Sequence, residues 1–178
     1  MYPVFEIEWI GPYKSPQETD KANILYLVTG SQLKGRHINK IRYIGKTTNT
    51  TEGRFNAKHK FWKVFSDDRQ FWIGSIKGSN SAKKAESAIS KAEWLLVHFL
   101  SNYSDSNKIE LMNERLLNEP NYKSFGVVNR WYNKRTKKEY EKYMYPFNNI
   151  SDIILWDKSR GHIISAPKIT VERDDESE

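Results

Sequence analysis

The sequence predicts an α/β (α+β) domain: a small, mainly antiparallel three-stranded sheet flanked by helices, with N- and C-terminal elaborations. Three observations lead there. Residues 23–29 (NILYLVT) and 41–45 (IRYIG) are short, β-branched apolar runs joined by a polar, Gly-containing connection, the pattern of an antiparallel pair. Residues 71–77 (FWIGSIK) have the same β character. Ala85, Ala88, Ile89, Ala92, Leu95, Leu96 and Phe99 then recur at steps of three and four, the spacing of one apolar helical face.

In chain order, residues 5–10 add an edge strand ahead of this core. After the strand pair, residues 49–52 (NTTE) match a capping box, and Phe55, His59 and Trp62, beside Phe61 and Phe65, carry helical spacing to about residue 65. Residues 78–81 (GSNS) supply turn and cap ahead of the long helix. Further on, residues 108–112, 150–156 and 163–171 read as short strands and residues 133–143 as a charged helix. No repeat or low-complexity linker divides the chain, so residues 1–178 read as one domain.

Composition narrows the chemistry. There is no cysteine, which removes thiolate nucleophiles and Cys-based zinc sites. No run approaches the roughly 20 apolar residues of a membrane span, and the first residues lack the basic flank and apolar stretch of a secretion signal, so a cytoplasmic protein without membrane contact is expected. The net charge of +7 is concentrated. Between residues 34 and 63 stand nine bases (Lys34, Arg36, Lys40, Arg42, Lys46, Arg54, Lys58, Lys60 and Lys63) against one acid, Glu52. A second cluster, residues 134–138 (KRTKK) with Lys134 and Arg135, lies among Trp131, Tyr132, Tyr140 and Tyr143. Bases mixed with aromatics suit phosphates and stacked bases, although a charge run is as often a solvated face.

Following the strand, strand, helix, strand, helix order leads to Leu25 and Tyr26, then residues 43–47 (YIGKT), then Arg54, then Glu93. This ordered set resembles the GIY-YIG nuclease family. The second motif is intact as Tyr43-Ile44-Gly45, and the first stands as Ile24-Leu25-Tyr26, with Ile and Leu in the places of Gly and Ile. The resemblance covers residues 23–113, about half the chain, leaving residues 1–22 and 114–178 as elaborations. It implies a metal-dependent endonuclease in which Glu93 binds one Mg²⁺ (or Mn²⁺) together with phosphate oxygens and waters. Glu86, one heptad earlier on the same face, competes with Glu93 for that role; the family's Glu-x-x-Leu-Leu-like helix begins at Glu93. Family members also place a His, Tyr or Lys about one turn after the arginine. Lys58 shares the helical face of Arg54 whereas His59 aligns with Phe55 and Trp62, and the sequence leaves that choice open. Asn113 is the counterpart of an asparagine that follows the glutamate helix in the family.

These residue types answer the needs of phosphodiester hydrolysis: a nucleophilic water, charge stabilisation on phosphoryl oxygens, and help for the leaving oxygen. Tyr26 and Tyr43, on neighbouring strands, can orient a water and take its proton if a nearby cation lowers a phenol pKa. Arg54 offers a planar, permanently charged fork to phosphate. A carboxylate bordering residues 94–97 (WLLV) is costly unless a cation compensates it. Taken singly, each has a plain alternative: strand tyrosines pack, a lone arginine is a surface residue, and a histidine on an apolar stripe sits in a core.

Other catalytic classes fit poorly. Residues 30–35 (GSQLKG) follow a strand, but Arg36 and His37 stand where a phosphate-binding loop has Lys and Ser or Thr. The four histidines lack metal-ligand spacing, and no Gly-x-Ser-x-Gly elbow occurs. The expected function is therefore an endonuclease on double-stranded DNA, of restriction type, with Lys46, Lys34, Arg36, Lys134 and Arg135 contacting DNA and target choice residing in residues 31–40 and 130–143. Two-strand cleavage points to a homodimer. The rival is a non-cleaving nucleic-acid-binding module of the same fold.

Overall fold

The protein is described from a computed structural model, which covers residues 2–19, 21–32, 39–55, 66–78, 82–103, 109–113, 121–140 and 147–166. Its strands are β1 (Val4–Tyr13), β2 (Ile24–Gly30), β3 (Lys40–Thr47), β4 (Gln70–Ile76), β5 (Phe125–Asn133), β6 (Ile153–Asp157) and β7 (His162–Ala166). Its α-helices, among the described residues, are the one-turn α1 (Thr51–Arg54) and the long α2 (Ala82–Tyr103).

The expectation of a small three-stranded sheet flanked by helices is overturned. All seven strands join one mixed sheet in the order β3-β2-β4-β1-β5-β6-β7. The antiparallel trio β3-β2-β4 is present at one end, with Tyr26 opposite Gly45 and Ile73. Four more strands continue it. Residues 5–10, expected at an edge, belong to a strand near the middle: β1 pairs antiparallel with β4 and parallel with β5. Ile7 and Trp9 of β1 are wholly buried while Glu6 and Glu8 face outward, an alternation that suits a strand with one face in the core.

Of the helix expected over residues 133–143, residues 133–140 do not form one, and residues 141–143 lie outside the described residues. Asn133 ends β5, and its Oδ1 accepts from the backbone N–H groups of Arg135 and Thr136, so an Asx-type turn replaces the first helical turn. The backbone N–H of Tyr140 then returns to the Trp131 carbonyl at 2.8 Å. Trp131, read in sequence as part of a basic aromatic surface, points inward and stacks on Trp9 at 5.2 Å. Of residues 163–171, those up to Ala166 are strand, and the remainder lies outside the described residues.

The sheet curls around α2 as a half-barrel, and the helix touches both β3 and β6, five strand positions apart. Residues 92–97 of α2 are all buried, Glu93 included. The main core lies between helix and sheet, with Leu25, Leu27, Ile44, Trp72, Leu96, Val127 and Trp156 among its members. A smaller cluster sits on the opposite face: Ile24, Tyr26, Val28, Phe55, Phe71 and Ile73, with Tyr13 and Tyr43 against it.

Leu96 has no solvent exposure and belongs to the main core. Truncation to alanine removes buried methyl groups and leaves a cavity, so Leu96→Ala is expected to lower the unfolding free energy by about 2–5 kcal/mol in urea titration; a loss under 1 kcal/mol would contradict an encircled helix.

Candidate functional site

β3 ends the sheet, so its outward backbone groups need partners from elsewhere. They find them in α2 and in residues 109–113. Glu110 N–H donates to the Ile41 carbonyl at 3.0 Å and Met112 N–H to the Arg42 carbonyl at 2.9 Å. Asn113 then substitutes for a strand: its Oδ1 accepts from Ile44 N–H at 3.1 Å and its Nδ2 donates to the Ile44 carbonyl. One residue pair further on, the Lys46 N–H donates to the Glu93 carboxylate. Arg42 and Lys40 bind Glu110 at 2.7 and 3.3 Å, pinning the covering segment in register.

This covering explains how Glu93, on the helix side of the sheet, meets residues of the opposite face. It reaches the sheet's rim. Its charge acts on Tyr43, Tyr26 and Arg54 there. Four of the residues singled out in sequence, Tyr26, Tyr43, Arg54 and Glu93, thus converge, and Lys46 joins them. Glu86, one heptad earlier on the same helix, is exposed, whereas Glu93 is buried at the rim.

Gly45 is the reason both tyrosines fit. It lies directly across from Tyr26 in the β2–β3 ladder. A Cβ there would sit 2.5 Å from the Tyr26 hydroxyl and 2.6 Å from Tyr43 Cε1. The two rings therefore close over the bare backbone, stacked at 5.9 Å and 9°. Phe55 supports Tyr26 edge-on at 4.7 Å. Phe55 follows α1, whose N-terminus is capped by Thr50: its hydroxyl accepts from Gly53 N–H at 3.2 Å. The cap stands one residue later than the box expected at Asn49. That short turn brings the Arg54 Nη2 to 3.5 Å from the Tyr26 hydroxyl, a long hydrogen bond.

The electrostatics revise the role of the phenols. Burial raises Tyr26 well above the ordinary tyrosine value, and neighbouring Tyr43 raises it further; the Arg54 hydrogen bond opposes without prevailing. Tyr43 is raised too, by burial and then by Glu93. The expectation of a phenol acidified by a cation is not met, because desolvation outweighs one partly exposed guanidinium. The hydrogen-bond direction matters more. Arg54 donates to Tyr26, Tyr26 hydrogen bonds Tyr43, and Tyr43 is the less buried of the two phenols.

Glu93 is pushed up to about 7 by burial, with Lys46 and Arg54 restraining the rise. A carboxylate desolvated to this degree, with cations that only partly compensate it, is a fitting ligand for a divalent ion that keeps most of its water. Among the described residues no three acidic or histidine side chains cluster as a metal cage.

The remaining candidates among the described residues fall elsewhere. Asn113 is buried and spends its amide on Ile44, so it positions the Tyr43–Gly45 strand. Lys134 is tied to Glu18 at 2.9 Å and lies over the Tyr13 ring, which makes it a bracket between β5 and the chain after β1. Arg135 is exposed. Lys34, Arg36, Lys58 and His59 lie outside the described residues. Sequence reading missed Ser90, whose hydroxyl holds the Lys46 ammonium at 2.7 Å; its place one helical turn before Glu93 was the available signal.

No family model, curated protein or solved structure matches the chain.

Two outcomes follow from this geometry. Gly45→Ala is expected to drive the tyrosine rings apart, costing about 1–3 kcal/mol by overpacking and changing the near-ultraviolet tyrosine dichroism; an unchanged spectrum would reject the closure over Gly45. For Glu93, burial favours the protonated form, so its contribution to stability is complete below about pH 4.5 and is lost as pH rises to about 7. In chelator, Glu93→Gln should match the parent near pH 4.5 and exceed it by about 3 kcal/mol at pH 8. Equal stability at both pH values would contradict a desolvated carboxyl.

Proposed function

We propose that the protein is a metal-dependent endonuclease that hydrolyses phosphodiester bonds of double-stranded DNA in the manner of the GIY-YIG nucleases, of restriction type and acting in the cytoplasm. The observation that carries this reading is the meeting of Tyr26, Tyr43, Arg54 and Glu93 at one rim of the sheet, from four separate elements or their ends. Packing alone would account for the tyrosines, but not for a buried carboxylate and a guanidinium brought to the same place.

In this reading Arg54 binds a non-bridging phosphate oxygen with the part of its fork that Tyr26 leaves free, and stabilises charge as it builds. Tyr26 orients Tyr43. The Tyr43 hydroxyl, neutral at physiological pH, orients the attacking water by hydrogen bonding. Glu93 would hold Mg²⁺ or Mn²⁺, which when bound supplies Lewis-acid stabilisation of the phosphoryl oxygens. Glu93 is also the residue whose ionisation gates that binding, since protons and the ion compete for it near pH 7. Two-strand cutting would engage a homodimer.

The raised tyrosines favour one rival, a module of the same site that binds nucleic acid without cutting it. Plasmid DNA separates the two. Scission is expected with Mg²⁺ or Mn²⁺, none in chelator, and a loss of at least 100-fold in Glu93→Ala and in Tyr26→Phe, within the range for positioned catalytic groups. Retarded but intact DNA under every condition would favour the binding module. If about six phosphates are contacted, log affinity should fall against log salt with a slope near five, and a flat response would remove DNA as the partner.

A further inference from the structure

Lys46 is the residue after the Tyr-Ile-Gly strand, and both of its ends are tied to the same turn of α2. Its backbone N–H donates to Glu93. Its ammonium donates to Ser90 Oγ at 2.7 Å. The direction of that second bond is forced: Ser90 gives its only proton to the Glu86 carbonyl, also at 2.7 Å, so its lone pairs face the lysine. The serine is thereby locked before the lysine arrives. Residues 90 and 93 are three apart and share a helical face, so the clamp places one fixed positive charge beside the carboxylate.

We propose that Ser90 is a positioning residue that works through Lys46, holding the ammonium at the rim of the sheet where a DNA phosphate would lie instead of leaving it on a freely rotating four-carbon stem. The assignment rests on the nuclease reading above. A free lysine samples many rotamers and must be ordered at each encounter; one ordered beforehand offers its charge without that entropic cost. Sequence reading placed Lys46 as a DNA-contacting base, and the clamp changes its character. It is a preset charge of the reaction centre, not a mobile surface contact. Glu86, exposed where Glu93 is buried, supplies through its backbone carbonyl the acceptor that sets the serine hydroxyl.

The test uses Ser90→Ala, Ser90→Thr, Lys46→Met and the Ser90→Ala/Lys46→Met pair, assayed for DNA cleavage with Mg²⁺ and for lysine ammonium order by ¹⁵N relaxation. Ser90→Ala is expected to lower kcat roughly tenfold with KM for DNA unchanged. Ser90→Thr should restore the rate, because a helical threonine hydroxyl also reaches the carbonyl four residues back. Lys46→Met should lose more, and adding Ser90→Ala to it should cost nothing further. One lysine ammonium signal, absent in Lys46→Met, should be ordered in the parent and in Ser90→Thr and averaged in Ser90→Ala. Independent, multiplying losses, failure of threonine to rescue, or an ammonium signal indifferent to Ser90 would each overturn the assignment. Absence of cleavage by the parent with any divalent ion would remove the nuclease reading and this role with it. Cleavage by the parent that Ser90→Ala leaves intact removes the role alone.

Discussion

The structure depends on how the last strand of a sheet satisfies its outward backbone groups. Unpaired N–H and C=O groups at a sheet edge are costly when buried and an invitation to aggregation when exposed. Here β3 is closed by residues 109–113 along its first half and by Asn113 at Ile44. The Lys46 N–H is left to a carboxylate. That last choice matters most. A backbone carbonyl at the same place would complete the sheet equally well, whereas Glu93 completes it and also brings an ionisable group to the tyrosine face.

Side-chain volume sets the second constraint. Among the described residues, the cluster on the face opposite α2 is small, and both phenols belong to it or pack against it. They can do so at van der Waals distance only because Gly45 lacks a side chain, which lets Tyr26 cross from the neighbouring strand and lie on the backbone. Tyr-Ile-Gly is in this sense one packing unit: an aromatic on the outer face, an aliphatic in the main core, and a gap that admits the second aromatic. Of residues 24–26, Tyr26 alone enters the gap, while Leu25 faces the helix.

Burial and charge pull against each other throughout the site. Desolvation favours the neutral forms of both phenols and of the Glu93 carboxyl, while Arg54 and Lys46 draw them toward ionisation. The opposition is sharpest at this rim because burial and charged groups are concentrated in the same place. Opposite the site, across β1, Glu6 and Glu8 meet Lys77 and Arg130 in a self-neutralised strip, so the positive charge of the chain is not spread evenly over the outer face.

Local pattern carried a good deal of this. The antiparallel pair and the third strand were legible in β-branched runs, and α2 in its three-and-four spacing, because these features come from neighbours in the chain. Tyr26, Tyr43, Arg54 and Glu93 were legible as types in an order. What the sequence by itself could not decide was everything set by distant partners. Residues 5–10 read as an edge because a strand does not record how many neighbours it will have; parallel pairing with β5, 120 residues on, put them in the middle, where Trp9 Nε1 reaches Asn129. Trp131 read as surface because basic residues follow it, yet alternation along β5 turned it inward. The phenols looked ready for acidification beside a cation, and only tertiary burial decided that desolvation wins. Periodicity determines which residues share a face; packing alone determines what that face is pressed against, and so which charges survive there.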